Sequence, residues 1–245
     1  MKVLITGATS GIGLEMGKIY LKRGYTVVGT GRNEIRLEMI RELGFIPEKA
    51  DSSDENDMKA LFEKHKDADI LINNAGFGDL GFFSETSLEK DISMIKTNIL
   101  GLHILTKLFF GEMVRKNRGK ILNVASIAGF MPGPLMATYY ATKSYVVRLS
   151  EALSEEAKKL KKNVYVGILC PGPVKTRFDE VAGVSFSLKS AEPEKIAKYT
   201  ISCVDKNKKV IVPTMSVKLA KLFAKLVPER FAAKICFKIQ SEKIS

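Results

Sequence analysis

Short runs of apolar residues alternate along the chain with longer stretches in which apolar residues recur every three or four positions. Such runs are typical of buried strands, and such stretches of amphipathic helices. The pattern predicts seven strands, at Lys2–Thr6, Tyr25–Thr30, Phe45–Ala50, Ile70–Asn73, Lys120–Ala125, Val164–Leu169 and Lys209–Val212. It also predicts helices at Gly11–Arg23, Glu34–Leu43, Asp54–Lys66, Leu88–Lys116 and Ala137–Lys161, and a further one that begins at Pro193.

The order of these elements determines the predicted fold. Strands separated by helices of this length form βαβ units, which build a parallel sheet. We therefore predict a Rossmann-type, doubly wound α/β fold with a seven-stranded parallel sheet. The chain has no internal repeat and no linker, so residues 1–213 are expected to form one domain, with residues 214–245 as its basic, amphipathic helical extension.

Helix ends are marked by glycine and by capping residues. Gly24 and Gly44 each follow a predicted helix, where glycine forms a good C-terminal cap. Thr86 and Glu89 have the spacing of a capping box, which predicts that the long helix begins at Leu88.

The composition is that of an ordinary globular protein, with 245 residues of which 45% are apolar. The three cysteines, Cys170, Cys203 and Cys236, form no C-x-x-C pair, so neither a disulfide framework nor a zinc site is predicted. We expect a cytoplasmic protein without a bound metal. No run of about 20 apolar residues occurs, so no transmembrane helix is predicted, and we expect no signal peptide.

Positive charge is concentrated near the C-terminus. The formal net charge is +12, and from residue 195 onward twelve Lys and Arg residues stand against three acidic residues. Nucleic acid, an anionic membrane or an acidic protein can each bind such a segment, but a solvated face is the interpretation that we favour. No known nucleic-acid-binding motif occurs, so no nucleic-acid partner is expected.

A glycine-rich segment, TGATSGIG at residues 6–13, joins the first predicted strand to the first helix. Glycines at this place let the backbone turn tightly and approach a pyrophosphate, while the helix N-terminus supplies amide donors. A single loop of this kind is a weak signal, because an ordinary turn can contain the same residues. Its position directly after the first strand favours a dinucleotide site.

Further motifs follow in a fixed order. They are Asn73-Asn74-Ala75-Gly76 after the fourth strand, Asn98 in the long helix, Ser126 after the fifth strand, Tyr139-x-x-x-Lys143, and Pro171-Gly172-Pro173-Val174-x-Thr176 after the sixth strand. Together with the Gly-x-x-x-Gly-x-Gly loop, they resemble the short-chain dehydrogenase/reductase family. The resemblance covers about residues 1–213 and implies a dinucleotide-binding catalytic domain, an oxidoreductase that acts on a carbonyl or alcohol carbon.

The resemblance also implies the residues that contact the cofactor. These are Gly7, Thr9, Ser10, Gly11, Ile12, Gly13, Arg32, Asn33, Asp51, Asn74, Ala75, Gly76, Tyr139, Lys143, Pro171, Gly172, Val174 and Thr176.

Reduction of a carbonyl needs a proton donor, because negative charge develops on the oxygen as hydride arrives. A free tyrosine has a pKa near 10, and a lysine one helical turn away can lower it. The resemblance implies that Tyr139 is the acid/base, that Lys143 tunes it and holds the nicotinamide ribose, and that Ser126 binds the carbonyl oxygen. Asn98 is implied to support a proton-relay water.

Tyr140 competes with Tyr139 for the catalytic role. Tyr140 is three residues from Lys143 and Tyr139 is four, and both spacings place the side chains on one helix face. Geometry therefore leaves the choice open, and the family pattern selects Tyr139.

The end of the second strand bears on cofactor choice. Members that prefer NAD carry an acidic residue there for the ribose 2′-hydroxyl, whereas this chain has Gly-Arg-Asn at residues 31–33. Arg32 can bind a 2′-phosphate through charge-assisted hydrogen bonds, so NADP(H) is the expected cofactor. Asp51 matches the family position that contacts adenine.

The family resemblance implies a substrate pocket with Phe77–Phe83 and Gly129–Met136 as walls and Arg177–Ala191 as a mobile lid, and all three segments are mostly apolar. They favour a lipophilic ketone, a hydroxysteroid or an acyl chain. A 3-oxoacyl-thioester reductase and a small 3-hydroxy-acid dehydrogenase remain alternatives, the latter with Arg177 for the carboxylate. A regulator that senses dinucleotides without catalysis is a further alternative.

The C-terminal segment contains an apolar stripe, formed by Leu219, Leu222, Phe223 and Leu226. A helix with such a stripe can pack on the body, close over the pocket or rest on an anionic membrane. We expect packing or closure rather than membrane contact, since the stripe should be buried. The family resemblance further implies a homodimer or homotetramer that pairs through the two long helices.

Overall fold

The computed structural model describes residues 1–176 and 190–242, apart from the side chain of Lys225. Its strands form one parallel seven-stranded sheet in the order β3-β2-β1-β4-β5-β6-β7. They are β1 Lys2–Ile5, β2 Thr26–Gly31, β3 Ile46–Lys49, β4 Ile70–Asn73, β5 Gly119–Val124, β6 Val164–Leu169 and β7 Val210–Ile211. The predicted Rossmann-type sheet is confirmed, with strand ends that differ by at most one residue.

Helices cover both faces of the sheet. They are α1 Gly11–Lys22, α2 Glu34–Glu42, α3 Glu55–His65, α4 Leu88–Ile95, α5 Leu102–Lys116, α6 Ala137–Lys159, α7 Pro193–Asp205, α8 Met215–Leu226 and α9 Glu229–Ser241. On one face α1, α2 and α7 pack with Val3 and Ile5 of β1, and on the other α3, α5 and α6 pack with Leu4. Successive residues of β1 thus face opposite cores, which explains why parallel strands read as continuous apolar runs.

The strand order reverses beside β1, and this reversal positions the ligand site. β1 pairs with β2 on one side and with β4 on the other, so the chain leaves β1 and β4 in opposite directions. Ligands of open parallel sheets bind at such a point, beyond the carboxyl ends of the strands.

Helix boundaries agree with the predictions at most positions. Gly24 and Gly44 have φ angles of +76° and +94°, which glycine adopts without strain. The prediction of a capping box that begins at Thr86 is wrong. Ser87 is the N-cap, and its hydroxyl accepts from the Lys90 amide at 3.3 Å.

The predicted long helix contains a turn that its sequence did not indicate. Between α4 and α5, residues Lys96–Gly101 form a π-helix within the continuous helical segment. Gly101 in this turn lies against the carbonyl of Ser52, where any side chain would collide. The wide turn contains Asn98, and π-turns within helices occur frequently at functional sites.

The C-terminal segment forms two helices, α8 and α9, with Pro228 between them. The expected burial of the apolar stripe is wrong, since Leu219 and Leu226 are 63% and 75% exposed, and Leu222 and Phe223 are also exposed. Val217 is buried instead and lies against Gly172. At this point α8 lies close to the loop after β6. The short side chain of Val217 fits the narrow space, whereas a leucine does not.

Candidate active site

A cleft of about 570 Å³ lies at the carboxyl ends of β1, β2, β4, β5 and β6. Most residues predicted to contact a cofactor line it, together with Ser126. They are Gly7, Thr9, Ser10, Gly11, Ile12, Arg32, Asp51, Asn74, Ala75, Gly76, Tyr139, Lys143, Pro171, Gly172, Val174 and Thr176. Gly13, Asn33 and Asn98 are the predicted site residues that do not line the cleft.

The glycine-rich loop forms a narrow cradle between β1 and α1. Gly7 and Gly11 have φ angles of +63° and +57°, a region that favours glycine. A Cβ at Gly7 would lie 2.9 Å from the backbone of Ala75, and one at Gly11 would lie 2.9 Å from Thr176. The loop therefore needs glycine both for its conformation and for its contacts with the neighbouring loops.

Gly13 serves the packing of this loop. A Cβ there would lie 2.5 Å from the side-chain nitrogen of Asn74 and 2.6 Å from the carbonyl oxygen of Gly7. Asn74 donates through this nitrogen to the carbonyls of Gly7 and Thr6, at 2.9 and 3.1 Å. The loops after β1 and β4 are thereby fastened to each other.

The N-terminus of α1 opens toward the cleft with amide groups available for an anion. Ser10 is its N-cap, and its side chain makes no capping hydrogen bond. The first amides of a helix lack partners within the helix and carry partial positive charge. This end of the cleft can therefore hold a phosphate group.

Arg32 and Asp51 lie at the outer end of the cleft. The guanidinium of Arg32 is 69% exposed, and its Nη1 lies 3.4 Å from Oδ2 of Asp51. Burial pushes the pKa of Asp51 upward, but hydrogen bonds from Ser53 and the charge of Arg32 hold it below its usual range. Arg32 thus keeps most of its donors directed to solvent, where a phosphate can reach them.

Asn33, a predicted cofactor contact, has a local structural role. Its side chain caps α2 by accepting from the Arg36 amide at 3.0 Å, and the residue is exposed. The cap fixes the turn that follows Arg32.

Tyr139, Ser126 and Lys143 meet at the centre of the cleft. Tyr139 shares a hydrogen bond with Ser126, and the Lys143 Nζ lies 5.8 Å from the centre of the Tyr139 ring. Lys143 donates to the carbonyl of Val124 at 3.1 Å, which holds the ammonium below the cleft. Ser126 is positioned as the N-cap of the 3-10 turn Ile127–Phe130.

The proton affinities of this cluster follow from burial. Tyr139 keeps a small exposed fraction toward the cleft, but the surrounding protein desolvates its phenolate and raises the pKa to about 12, against a lowering effect of Ser126. Burial lowers the pKa of Lys143 to about 8. Burial is the largest influence on the pKa of Tyr139, and it acts against the lowering that the positive charge of Lys143 is expected to cause.

Asn98 lies behind the cluster in the π-helix and is almost fully buried. Its Nδ2 donates to the Phe77 carbonyl at 2.9 Å and to the Thr142 hydroxyl at 3.1 Å, and its Oδ1 accepts from the Phe77 amide at 3.0 Å. These bonds fasten the loop after β4 to α6. One lone pair of Oδ1 is left over from this set and can hold a water molecule.

Tyr140 points away from this cluster. Its hydroxyl accepts from Nε2 of Gln240 at 2.7 Å, which ties α9 to α6. Its ring packs against Gly133, where any Cβ would overlap it. Tyr139, rather than Tyr140, is thus the tyrosine that lies beside both Ser126 and Lys143.

A buried polar network below the site was not predicted from the sequence. Asn73 donates to Thr106 and Asn123 at 3.0 and 2.9 Å, and Asn123 donates to Ser150 at 2.9 Å. It joins β4 and β5 to α5 and α6. The only signal in the sequence was polar residues within otherwise apolar strands, which periodicity does not distinguish from exposed positions.

The substrate end of the cleft differs in part from the prediction. Phe77, Met131 and Met136 line it, whereas Phe82 and Phe83 are exposed. The predicted lid residues Arg177, Phe178, Val181, Val184, Phe186 and Leu188 lie outside the described residues. The C-terminal segment, for which packing or closure over the pocket was expected, lines the cleft with residues outside the predicted stripe, namely Ala220, Cys236, Ile239 and Gln240.

The loop after β6 closes the cofactor side of the cleft. The carbonyl of Pro171 accepts from the Ile127 amide at 2.9 Å, Val174 forms a bridge with Ala191, and Thr176 contacts Gly11. This loop thus joins the 3-10 turn on one side to the glycine cradle on the other.

Neither a metal site nor a cysteine nucleophile is supported in the described part of the chain. Residues 1–176 and 190–242 contain no cluster of His, Cys, Asp and Glu suited to a metal ion. Burial raises the pKa of the Cys170 thiol to about 12, which disfavours a nucleophilic role. Among the helices described, none is long and apolar enough to cross a membrane.

The comparisons with known proteins agree with this geometry. A family model described as short chain dehydrogenase matches residues 1–183. A probable NADP-dependent dehydrogenase of Haemophilus influenzae is 37% identical over 219 residues, with 81% of this chain and 85% of the relative covered. The human dehydrogenase/reductase SDR family member 11 is 32% identical, with 79% and 78% covered.

A solved structure has the same arrangement. A short-chain dehydrogenase from Sphingobium yanoikuyae, in complex with NADPH, superimposes with a TM-score of 0.81 at 28% identity. The match covers 91% of this chain and 92% of the other.

Proposed function

The chain belongs to the short-chain dehydrogenase/reductase family of oxidoreductases, and we propose that it is an NADP(H)-dependent enzyme that interconverts a carbonyl and a secondary alcohol. One observation carries the proposal. Tyr139 shares a hydrogen bond with Ser126, beside the buried ammonium of Lys143, in the same cleft as the glycine cradle. An acid, an oxygen-binding hydroxyl and a cation therefore meet where a carbonyl can bind.

The residues present fit NADP(H). The cradle at Gly7 and Gly11 leaves no room for side chains, and the uncapped N-terminus of α1 offers amides for the pyrophosphate. The exposed guanidinium of Arg32 is suited to a 2′-phosphate, and it also neutralises Asp51, the carboxylate nearest to that position. The cofactor, when bound, supplies or accepts the hydride.

Tyr139 is the proton donor in this proposal. Because desolvation raises its pKa, the phenol stays protonated at neutral pH, as reduction of a carbonyl requires. Ser126 binds the carbonyl oxygen, and its hydrogen bond to Tyr139 places both hydroxyls at one point. The charge of Lys143 stabilises the phenolate that remains after proton transfer.

Asn98 and the remaining lining residues act by positioning. Asn98 holds the loop of Phe77 against α6 and can hold a water molecule that returns a proton to the site. The loops of Asn74 and Thr176 keep the cradle closed around the cofactor.

A lipophilic ketone, hydroxysteroid or acyl chain is the substrate class that we favour. Phe77, Met131, Met136 and Ile239 line the substrate end. Among the lining residues described, Arg32 and Lys143 are the cations; Arg32 lies at the outer end of the cleft, and the buried Lys143 ammonium donates to the Val124 carbonyl. A small 3-hydroxy acid therefore finds no partner for its carboxylate within the described residues.

Turnover tests the proposal directly. NADPH oxidation is followed by absorbance with a panel of bulky ketones, a 3-oxoacyl thioester and a small 3-oxo acid. We expect fastest turnover with the bulky ketones or acyl chains. Binding of NADPH without turnover of any carbonyl would instead support a regulator that senses dinucleotides.

We further propose a cytoplasmic homodimer or homotetramer. The three cysteines are buried and none of them forms a disulfide bond within the described residues, as in proteins of a reducing compartment. Leu88, Ile92 and Ile95 form an exposed stripe on α4, which gives the long helix an apolar surface for pairing.

A further inference from the structure

One face of α8 consists of exposed apolar side chains, which we call the outer face of α8: Met215, Leu219, Leu222, Phe223 and Leu226. At about 100° per residue, the four aliphatic members fall within roughly 60° of the helix circumference, opposite the buried Val217. Their exposed fractions are between 55% and 75%. A monomeric protein rarely leaves such a contiguous apolar surface in water, so a binding role is indicated.

Basic side chains occur on α8 itself and on α9, the helix that follows it. Lys218 is exposed beside it, and Lys221 lies against the ring of Phe130 at 4.5 Å. On α9, Arg230, Lys234 and Lys238 recur every four residues and are exposed. None of these five groups forms an ion pair with another residue of the described range, so their charge is available to a partner.

We propose that the outer face of α8, with the basic residues of α8 and α9, docks the protein on an anionic lipid surface. Apolar side chains enter the boundary between headgroups and acyl chains, while lysine and arginine bind the anionic headgroups. The charge complementarity selects this partner. A run of Met, Leu and Phe side chains without hydrogen-bonding groups suits lipid better than the polar surface of an acidic protein.

A second copy of the chain fits this face less well. A two-fold interface places the same patch of both copies in contact. The lysines beside α8 and the basic row of α9 would then face identical charges, which repel. An anionic bilayer turns the same charges into an attraction.

The helices that carry the docking surface also line the cleft. Ala220 of α8 and Ile239 of α9 line the substrate end, so the docked helices also border the entrance. Phe82, which is exposed on the loop after β4, lies 6.4 Å from Phe237 of α9 by ring centres and extends this border. The proposed docking does not depend on the proposed reaction.

Vesicle sedimentation tests the proposal on the full-length chain. Vesicles of phosphatidylcholine alone are compared with vesicles that contain 30% phosphatidylglycerol. We expect strong pelleting with the anionic vesicles only, and a loss of about tenfold in affinity at high salt, because salt screens exposed charges.

Two double variants, each with a control, test which residues form the docking surface. Leu219→Glu with Leu226→Glu should weaken binding to the anionic vesicles at least tenfold. Ile35→Glu on α2 changes an equally exposed aliphatic residue elsewhere and should have no effect beyond its charge. Lys234→Ala with Lys238→Ala should reduce the salt dependence, whereas Lys22→Ala with Lys206→Ala, also at exposed positions, should change it little.

NADPH fluorescence and light scattering complete the test. Unchanged NADPH affinity in each variant shows that the fold is intact. The proposal is wrong if the wild type fails to pellet with anionic vesicles, or if pelleting survives the glutamate substitutions. Loss of oligomers in the glutamate variants, without any vesicle binding of the wild type, would instead identify the face as a contact between copies.

Discussion

At the scale of single residues, the fold changes the proton affinity of the two groups on which the proposed chemistry depends. Tyr139 and Lys143 are one helical turn apart, and desolvation moves both toward their neutral forms. A protonated phenol is the form needed to reduce a carbonyl. Tyr140 has an adjacent place in the sequence, but its hydroxyl is bound by Gln240.

Replacement of Tyr139 by Phe should lower turnover by about 10²–10⁴-fold, the usual contribution of general acid catalysis. NADPH affinity, measured by fluorescence titration, should remain close to that of the wild type. Tyr140→Phe is the matched control and should retain most of the activity. The reverse pattern would assign the acid to Tyr140.

Replacement of Arg32 by Ala should weaken NADPH binding about tenfold or more, because a hydrogen bond to a charged group contributes roughly 1.5–3 kcal/mol. NADH lacks the 2′-phosphate, so its affinity should change little. Arg41→Ala, on α2 and paired with Glu38, is the control. Equal losses for both cofactors would show that Arg32 does not bind the phosphate.

The pH dependence of carbonyl reduction should report Lys143 rather than Tyr139. Burial lowers the pKa of Lys143 to about 8, so the ammonium is charged below that pH and neutral above it, whereas the phenol stays protonated to about pH 12. We expect kcat/KM to be constant below pH 8 and to decline above it. Lys143→Arg keeps the charge at all these pH values and should move the decline upward. A decline that stays near pH 8 in this variant would contradict the assignment.

At the scale of elements, helices far apart in the sequence complete the cleft. The π-helix turns Asn98 toward Phe77 and Thr142, and α9 reaches α6 through Gln240 and Tyr140. The substrate end is thus built by the last helix of the chain, while the cofactor end is built by the first loop.

Gln240→Leu should therefore affect the substrate end alone. It leaves the partly buried Tyr140 hydroxyl without this partner, and a fully buried group in that position would cost about 1–3 kcal/mol. We expect a lower melting temperature and a higher substrate KM, with NADPH affinity unchanged. Ser241→Ala, at the next position, serves as the control. Adding Tyr140→Phe to Gln240→Leu should recover part of the stability, and no recovery would mean that the bond contributes little.

At the scale of the whole molecule, the apolar surfaces exposed within the described residues include the outer face of α8 and the stripe of Leu88, Ile92 and Ile95 on α4. They differ in surroundings. The first lies on a segment with basic residues that form no ion pair with another described residue, and it suits an anionic surface. The second lies on the long helix and suits pairing between copies.

Light scattering of the purified protein should give the mass of a dimer or tetramer. Ile92→Lys with Ile95→Lys should shift the mass toward the monomer, because pairing would bury two charges in an apolar contact. Ile35→Lys, at a residue that is 75% exposed on α2, should leave the mass unchanged. An unchanged mass in the double variant would place the interface elsewhere.

The sequence alone determined the fold class, the succession of strands and helices along the chain, and the motifs of the cleft. These features depend on local spacing, namely the apolar periodicity, the glycines of the first loop and the four-residue separation of Tyr139 and Lys143. They could be predicted because each signal lies within one element or one turn.

The tertiary structure decided the features that depend on contacts between distant segments. The π-turn at Asn98, the bond from Gln240 to Tyr140 and the network of Asn73 and Asn123 join residues more than 20 positions apart, and no local pattern indicates them. The direction of the apolar stripe on α8 was predicted wrongly for the same reason. Periodicity identifies an apolar face, but only the shape of the opposing surface, here Gly172 against Val217, decides which face is buried.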